Sequence, residues 1–212
     1  MNDIGEREFR LREQLVQVRA CRRCEGALPL GPRPVLSLTG TARLLIIGQA
    51  PGTRVHETGV PWNDRSGDRL RSWMDVDRAV FYDPSRIAIM PMGFCYPGRL
   101  DRGGDAPPRP ECAPTWHAPL RALLPEVRLT LLVGGHAQRF YLRSLAPSTV
   151  TATCARWRDF LPAYLPLPHP SWRTTAWQRR HPWFDADLLP ALQRHVKVVL
   201  CHSSGRNAIG GR

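Results

Sequence analysis

Four cysteines occur at a spacing that suits a metal centre. Cys21 and Cys24 are separated by two residues, so a single turn of chain can present two thiolates to one centre. Cys95 and Cys112 flank a proline-rich loop, with sixteen residues between them. Four thiolates can bind zinc or a [4Fe-4S] cluster, although burial as small apolar side chains explains the same residues equally well. The cysteines without a partner at this spacing, which we assign to burial or to the C-terminal tail, are Cys154 and Cys201.

Two short motifs contain groups that could contact a ligand: one is a glycine- and proline-rich turn, and the other begins with a histidine. The segment Gly48-Gln49-Ala50-Pro51-Gly52 is a tight turn whose backbone amides can face a ligand oxygen. The segment His169-Pro170-Ser171-Trp172-Arg173 places a histidine before a small polar residue, an aromatic residue and a base. Taken alone, the first motif is more often only a turn, and a lone histidine is more often structural.

The elements that position these motifs are predicted from hydrophobic patterning. An amphipathic helix is expected over residues 3–20, and short apolar runs typical of buried parallel strands follow. The predicted strands are Leu44–Ile47, Arg86–Met90, Val127–Val133 and Ala163–Leu167. Helices are expected at about residues 67–75, 114–124, 136–145 and 184–200. This alternation predicts an open α/β sheet.

Segments rich in glycine, proline and polar residues follow all four predicted strands. They are GQAPGT, PMGFCYPG, GGH and HPSWR. Since ligands of open α/β sheets bind outside the carboxyl ends of the strands, we expect these four segments to converge on one site. The loop Tyr96 to Pro110 is too long for an ordinary connection, and we expect it to be a surface or functional loop.

Charge and hydrophobicity indicate what kind of partner and location this protein has. The 212 residues carry 30 Lys and Arg against 18 Asp and Glu, a net charge of +12, and Lys197 is the only lysine. An arginine excess favours a nucleic-acid partner, because the planar guanidinium suits phosphate contacts. No apolar run approaches the ~18 residues of a membrane span, and residues 1–15 lack the apolar core of a signal peptide. We therefore expect a cytoplasmic protein with one domain over residues 1–200 and a disordered tail over residues 201–212, without structural disulfides.

Taken together, the motifs and the cysteines resemble the uracil-DNA glycosylase superfamily, especially its iron-sulfur-containing fourth and fifth families, over roughly residues 18–200. In those families the first motif is G-E-A-P-G or G-L-A-P-A, and residues 48–52 match it. Their second motif begins H-P-S, as residues 169–171 do. Their cluster cysteines come as C-x2-C, then one after the second strand and one about sixteen residues later. Cys21, Cys24, Cys95 and Cys112 have this order.

Residues 58–68, TGVPWNDRSGD, are similar to the fifth family's T-G-R-M-F-T-G-D-R-S-G-D, with one residue fewer before the aspartate. By this resemblance Trp62 is the aromatic residue that stacks on the extruded base, and Asp64 is the catalytic aspartate. Core packing is the alternative for Trp62. A helix N-cap is the alternative for Asp64, with Ser66 competing for that position.

Two positions depart from the families. Pro91 stands four residues before the third cysteine, where the fourth family has an Asn that recognises the base, and Gln49 replaces the fourth family's glutamate. A pocket without a dedicated amide at the base edge should discriminate less sharply among bases.

The resemblance implies a three-layer α/β/α domain with a mostly parallel four-stranded sheet. It also implies a monofunctional DNA glycosylase, a DNA repair hydrolase that removes uracil or other deaminated bases. His169 and the amides of Gln49 and Ala50 would stabilise the departing base, and Asp64 would position water. Other substrate contacts are expected from Gly48, Ala50, Trp62, Ser171 and Arg173. Phosphate contacts are expected from Arg173, Arg65, Arg69 and Arg71, with an ordinary solvated helix face as the alternative for Arg69 and Arg71.

The expected cofactor is a [4Fe-4S] cluster on Cys21, Cys24, Cys95 and Cys112, with zinc as the alternative. The expected partner is DNA containing uracil or deaminated bases, bound by a monomer associated with the nucleoid. One alternative function is a non-catalytic reader of single-stranded or damaged DNA on the same fold. A hydrolase with a Cys or His nucleophile is disfavoured, because no nucleophile-elbow pattern such as G-x-S-x-G occurs.

Overall fold

The computed structural model describes residues 3–101, 103–145 and 147–201. Its centre is a sheet of four strands, which are β1 (Leu44–Ile47), β2 (Ile87–Ile89), β3 (Leu129–Val133) and β4 (Tyr164–Leu167). All strand pairs are parallel and the order is β2-β1-β3-β4. The predicted α/β fold with a parallel four-stranded sheet is confirmed.

Helices cover both faces of the sheet. They are α1 (Asp3–Arg19), α2 (Thr53–Thr58), α3 (Arg65–Met74), α4 (Arg78–Phe81), α5 (Cys112–Ala122), α6 (Gly135–Leu142), α7 (Val150–Ala155), α8 (Thr174–Arg180) and α9 (Leu189–Cys201), with 3-10 turns at Glu25–Ala27, Arg143–Leu145 and Trp157–Phe160 and a π turn at Phe184–Leu188. Among the described residues, no helix combines the length and the apolar character that crossing a bilayer requires.

Alternation along β1 explains the three layers. Leu44 and Ile46 join a buried cluster that contains residues of α3 and α9, including Leu70 and Leu192. Leu45 and Ile47 join the opposite cluster, with residues of α1, α5 and α6 such as Leu11, Leu120 and Leu142. Successive strand side chains point to opposite faces, so a run of four apolar residues requires a helix layer on each side.

Short helices and helix ends differ most from the sequence prediction. Helices α2, α4, α7 and α8 are too short to show a periodic pattern and were not predicted. The last helix widens to a π turn just before Pro190, which has no N–H to donate to the carbonyl four residues earlier. It ends at Cys201, and residues 202–212 of the predicted tail lie outside the described residues.

A buried histidine connects α5 to the segment after β2. The Nδ1 atom of His117 lies 2.7 Å from the Tyr141 hydroxyl, and Nε2 lies 3.0 Å from the carbonyl oxygen of Pro91. Because a carbonyl only accepts, Nε2 carries the hydrogen and Nδ1 accepts from the phenol. Burial lowers the pKa of His117 to about 4. The neutral imidazole therefore fixes the position of Pro91 relative to the helix layer.

This arrangement predicts an acid-dependent loss of stability. The unfolded chain takes up a proton near pH 6.5, whereas folded His117 does so only near pH 4, so stability is present above pH 6.5 and falls as the pH drops between those values. The loss at His117 should reach about 3 kcal/mol. Urea unfolding at a series of pH values should show a shallower pH dependence for His117→Gln than for the wild type. Equal slopes would contradict the assignment.

Candidate functional site

A cavity opens at the carboxyl edge of the sheet, where the segments after β1, β2 and β4 meet. Six of the predicted site residues line it: Gly48, Gln49, Ala50, Trp62, Asp64 and His169. Pro91 also lines the cavity, and so does Asp105, which the sequence analysis did not single out. Three of the four segments predicted to converge contribute to this cavity, because the carboxyl ends of parallel strands meet at one edge of the sheet, but the GGH segment after β3 does not line it.

The turn after β1 is bonded to the segment after β2. The amides of Met92 and Gly93 donate to the carbonyls of Gly48 and Gln49 at 2.9 and 3.0 Å. The Gln49 side chain points elsewhere, since its Nε2 donates to the carbonyl of Ala106 at 3.0 Å. Gln49 therefore holds the loop 96–110 against the cavity.

Trp62 is fixed by contacts on both its backbone and its ring. Its backbone is left-handed, with φ of 55°, and its carbonyl accepts from the Tyr82 hydroxyl at 3.2 Å and from Nη1 of Arg71 at 3.3 Å. A Cβ on Gly67 would lie 1.7 Å from this carbonyl oxygen, and one on Gly48 would lie 2.6 Å from the indole. Glycine is therefore required at both positions. The indole packs on the core and also lines the cavity, so packing and substrate contact are compatible for this residue.

Asp64 caps a helix and faces the cavity. Its Oδ1 accepts from the Gly67 amide at 2.8 Å, which makes Asp64 rather than Ser66 the N-cap of α3. A cap uses one carboxylate oxygen, and the residue still lines the cavity. Capping α3 and lining the cavity are therefore compatible for Asp64.

His169 lies two residues after β4, with its ring centroid 5.8 Å from that of Trp62. Gly134 lies beside it; its φ of 89° favours glycine, whereas a Cβ there would make only ordinary van der Waals contact with the His169 Cβ, at 3.6 Å. The His169 carbonyl accepts from the Ser171 amide and the Thr174 hydroxyl. Burial lowers the pKa of His169, and Asp64 partly opposes this, so the imidazole is neutral at neutral pH.

Ser171 and Arg173 are not among the residues that line the cavity. The Ser171 carbonyl accepts from Arg69, and the Arg173 guanidinium lies against Gly104, where a Cβ would be 3.0 Å from Nη1. Between them, Trp172 is 79% exposed. This segment therefore forms the rim of the cavity, and an exposed indole in it is a feature the sequence analysis left unassigned.

The arginines of α3 have three different environments. Arg71 is only 5% exposed and donates to Trp62 and Tyr82, so the prediction that it contacts phosphate is wrong. Arg69 donates to Ser171, Thr175 and Gln178, which joins α3 to α8. Arg65 is exposed and stays a candidate phosphate ligand.

A second cavity is lined by all four cysteines of the predicted metal centre, Cys21, Cys24, Cys95 and Cys112. The Phe94 amide donates to the Cys112 sulfur at 3.4 Å. Burial raises the pKa of Cys95 to about 11 and that of Cys112 to about 12. Without a bound cation these two thiols are protonated at neutral pH.

Arg109 also lines this second cavity. Its Nη2 donates to Glu111 at 2.7 Å, whereas its buried Nε meets no acceptor among the described residues. Within the same part of the chain, no group of three His, Cys, Asp or Glu side chains is arranged to hold a single metal ion. Of the remaining cysteines, Cys154 is buried and Cys201 is exposed at the end of α9.

The chain also matches a known protein family. The family model described as the uracil DNA glycosylase superfamily matches residues 37–193. That range contains all four strands and His169, and it begins after Cys21 and Cys24.

The cap on α3 gives a stability prediction with an internal control. Asp64→Ala should lower the free energy of unfolding by ~1 kcal/mol, whereas Asp64→Asn should keep it, because Asn caps helices as well as Asp does. Asp77 makes the same contact at α4, with Oδ1 accepting from the Val80 amide at 2.7 Å away from the cavity, so Asp77→Ala should cost a similar amount. Urea unfolding checks this. An equal loss in Asp64→Asn and Asp64→Ala would show that the cap is not the stabilising contact.

Proposed function

Because this chain belongs to the uracil-DNA glycosylase superfamily, we propose that it is a DNA repair hydrolase that removes deaminated bases, uracil among them. Membership in the superfamily supports glycosylase activity in general. One observation supports the proposed removal of deaminated bases. A single cavity is lined by the turn after β1, an aromatic ring, a carboxylate and a neutral histidine. These are the groups needed to hold a base and to stabilise charge on both sides of the bond that breaks.

On the base side, the target nucleotide is rotated out of the duplex and enters the cavity. The indole of Trp62 provides a flat apolar surface for the base, and its fixed backbone costs no ordering entropy on binding. Negative charge then develops on a base oxygen as the glycosidic bond lengthens. Neutral His169 donates a hydrogen bond to that oxygen, and the amides of Gln49 and Ala50 assist it.

On the sugar side, positive charge develops at the anomeric carbon. One oxygen of Asp64 is held by the Gly67 amide, so the other can face the cavity without the side chain rotating. Asp64 offsets the positive charge and orients the attacking water. A carboxylate in a partly desolvated cavity does this more effectively than one in bulk solvent.

Base selection is proposed to be broad. Pro91 lines the cavity where the fourth family has an Asn, and the Pro91 carbonyl is used by His117. An Asn in the cavity would lose its hydrogen bonds when a base with a different edge binds, and this loss would penalise that base. Pro91 has no side-chain amide to leave unpaired, so the penalty is small. Uracil and hypoxanthine should therefore be accepted within about tenfold of one another.

The DNA-binding face is proposed to be the rim of the cavity. Exposed Trp172 can fill the space that the extruded base leaves in the stack, and Arg65 and Arg173 can contact flanking phosphates. With a chain charge of +12, binding should weaken steeply as salt is added.

A [4Fe-4S] cluster is the proposed cofactor, held by Cys21, Cys24, Cys95 and Cys112. Four cysteine sulfurs around one cavity fit this group, since each iron of such a cluster takes one thiolate. The buried Nε of Arg109 and the Phe94 amide supply donors for sulfur acceptors. The cluster would fix the long loop between Cys95 and Cys112, and the hydrolytic groups lie in the other cavity.

The function is tested by single-turnover excision on duplexes that carry uracil or hypoxanthine. His169→Ala should lower the rate by ~10²–10⁴-fold with little change in affinity for abasic DNA, because its hydrogen bond strengthens in the transition state. His136→Ala is the matched control, since His136 follows β3 at the same sheet edge but does not line the cavity. DNA binding by the wild type without any excision would instead favour the non-catalytic reader. Equal losses of rate and affinity in His169→Ala would make His169 a positioning residue.

The cofactor is tested on anaerobically purified protein. We expect about four iron and four sulfide per chain, with visible absorption that is lost in Cys24→Ser. Cys201→Ser is the control, because Cys201 is exposed and distant in sequence from the cysteine cavity. Stoichiometric zinc without sulfide would replace the cluster by a structural zinc site.

A further inference from the structure

Asp105 is held at the mouth of the substrate cavity by the loop 96–110. The loop folds back on itself through an antiparallel bridge between Arg99 and Asp105, with the Leu100 amide donating to Gly104 at 2.9 Å. Next to Asp105, the carbonyl of Ala106 accepts from the Gln49 side chain. The backbone of Asp105 is therefore tied both to its own loop and to the turn after β1.

The Asp105 carboxyl faces the same cavity as Asp64 and His169. Its Oδ2 lies 3.4 Å from the place a Cβ on Gly52 would take, an ordinary van der Waals distance, so the carboxyl is adjacent to the turn after β1. Asp105 is more exposed than Asp64 and His169, which places it where the cavity meets solvent. No group within residues 3–101, 103–145 and 147–201 donates a hydrogen bond to the carboxyl, so its lone pairs are available to a ligand.

This position corresponds to the sugar rather than the base of a bound nucleotide. The base enters first and reaches the apolar wall, which includes Ile89 and Pro91, whereas the sugar stays near the mouth because it is tethered to the DNA backbone. Resting on the function proposed above, we propose that Asp105 is a second carboxylate of the reaction and takes the proton of the attacking water.

In this step the water oxygen forms a bond to the anomeric carbon of the sugar. The bond from that carbon to the base nitrogen breaks, and its electron pair leaves with the base. The proton lost by the water passes to the Asp105 carboxylate, and the base anion later takes a proton from solvent. No oxidant, reductant or further reactant is needed.

The two carboxylates have environments that suit different tasks. Asp64 is committed by one oxygen to the Gly67 amide and stays in place as a fixed negative charge. Burial and the charge of Asp64 raise the pKa of Asp105, while Arg99 and Arg173 act in the opposite direction. His169 is the remaining titratable group of this cavity, and its lowered pKa keeps it uncharged. A carboxylate with a raised pKa is suited to accept a proton.

The test compares Asp105→Ala with Asp101→Ala, a control in the same loop that is exposed and does not line the cavity. In single-turnover excision of uracil, Asp105→Ala should be ~10²-fold slower or more. Its affinity for abasic DNA should match that of the wild type. Sodium formate should restore part of the rate relative to sodium chloride at equal ionic strength, because a free carboxylate can occupy the vacated position. Formate should not accelerate Asp101→Ala.

Three outcomes would overturn the proposal. Asp105→Ala could excise at the wild-type rate, or it could lose rate and DNA affinity by the same factor, which is the behaviour of a loop contact. Formate could also fail to rescue a variant whose thermal melting is unchanged. If the wild type excises no base, the proposed function fails and the role of Asp105 fails with it. Wild-type excision with an unaffected Asp105→Ala would reject only the role of Asp105.

Discussion

The left-handed backbone of Trp62 is the constraint on which the cavity depends. Its carbonyl occupies the space next to Gly67 that any side chain would fill, and its ring occupies the corresponding space next to Gly48. Buried Arg71 and half-buried Tyr82 hold the carbonyl in place. An unpaired buried guanidinium is costly, so Arg71 keeps its bond to the Trp62 carbonyl. The Trp62 ring then packs on Gly48 at the end of β1, and Asp64 follows Trp62 at the start of α3. Trp62 therefore fixes both Asp64 and the turn after the strand.

The loop 96–110 connects the two cavities. It begins one residue after Cys95 and ends two residues before Cys112, so both of its ends are at the cysteine cavity. Its middle reaches the substrate cavity through Asp105 and through the bond between Gln49 and Ala106. Helix α5 makes a second connection, since it starts at Cys112 and carries His117, which bonds to the wall residue Pro91. The two cavities therefore share a loop and a helix.

The arginine excess serves two physical roles. Some guanidinium groups are structural, such as those of Arg71 beneath Trp62 and Arg69 between α3 and α8, and these are satisfied inside the protein. Others remain at the surface near the cavity, as Arg65 and Arg173 do. Net charge alone therefore overstates the number of groups available to a polyanion, since donors of these arginines are already bonded to acceptors within the protein.

The sequence by itself determined the sheet, the order of the segments that follow its strands and most of the residues proposed to line one cavity at its carboxyl edge. Apolar runs such as 44–47 and the glycine or histidine motifs after them depend on neighbours within a few residues, so local patterning is sufficient to find them. Tertiary structure alone decided that Arg71 is buried, that Asp64 is both a cap and a cavity residue, and that Asp105 reaches the mouth. The position of Asp105 depends on a group far away in sequence, since Gln49 holds its loop, and no local periodicity reports which distant partner a side chain will meet.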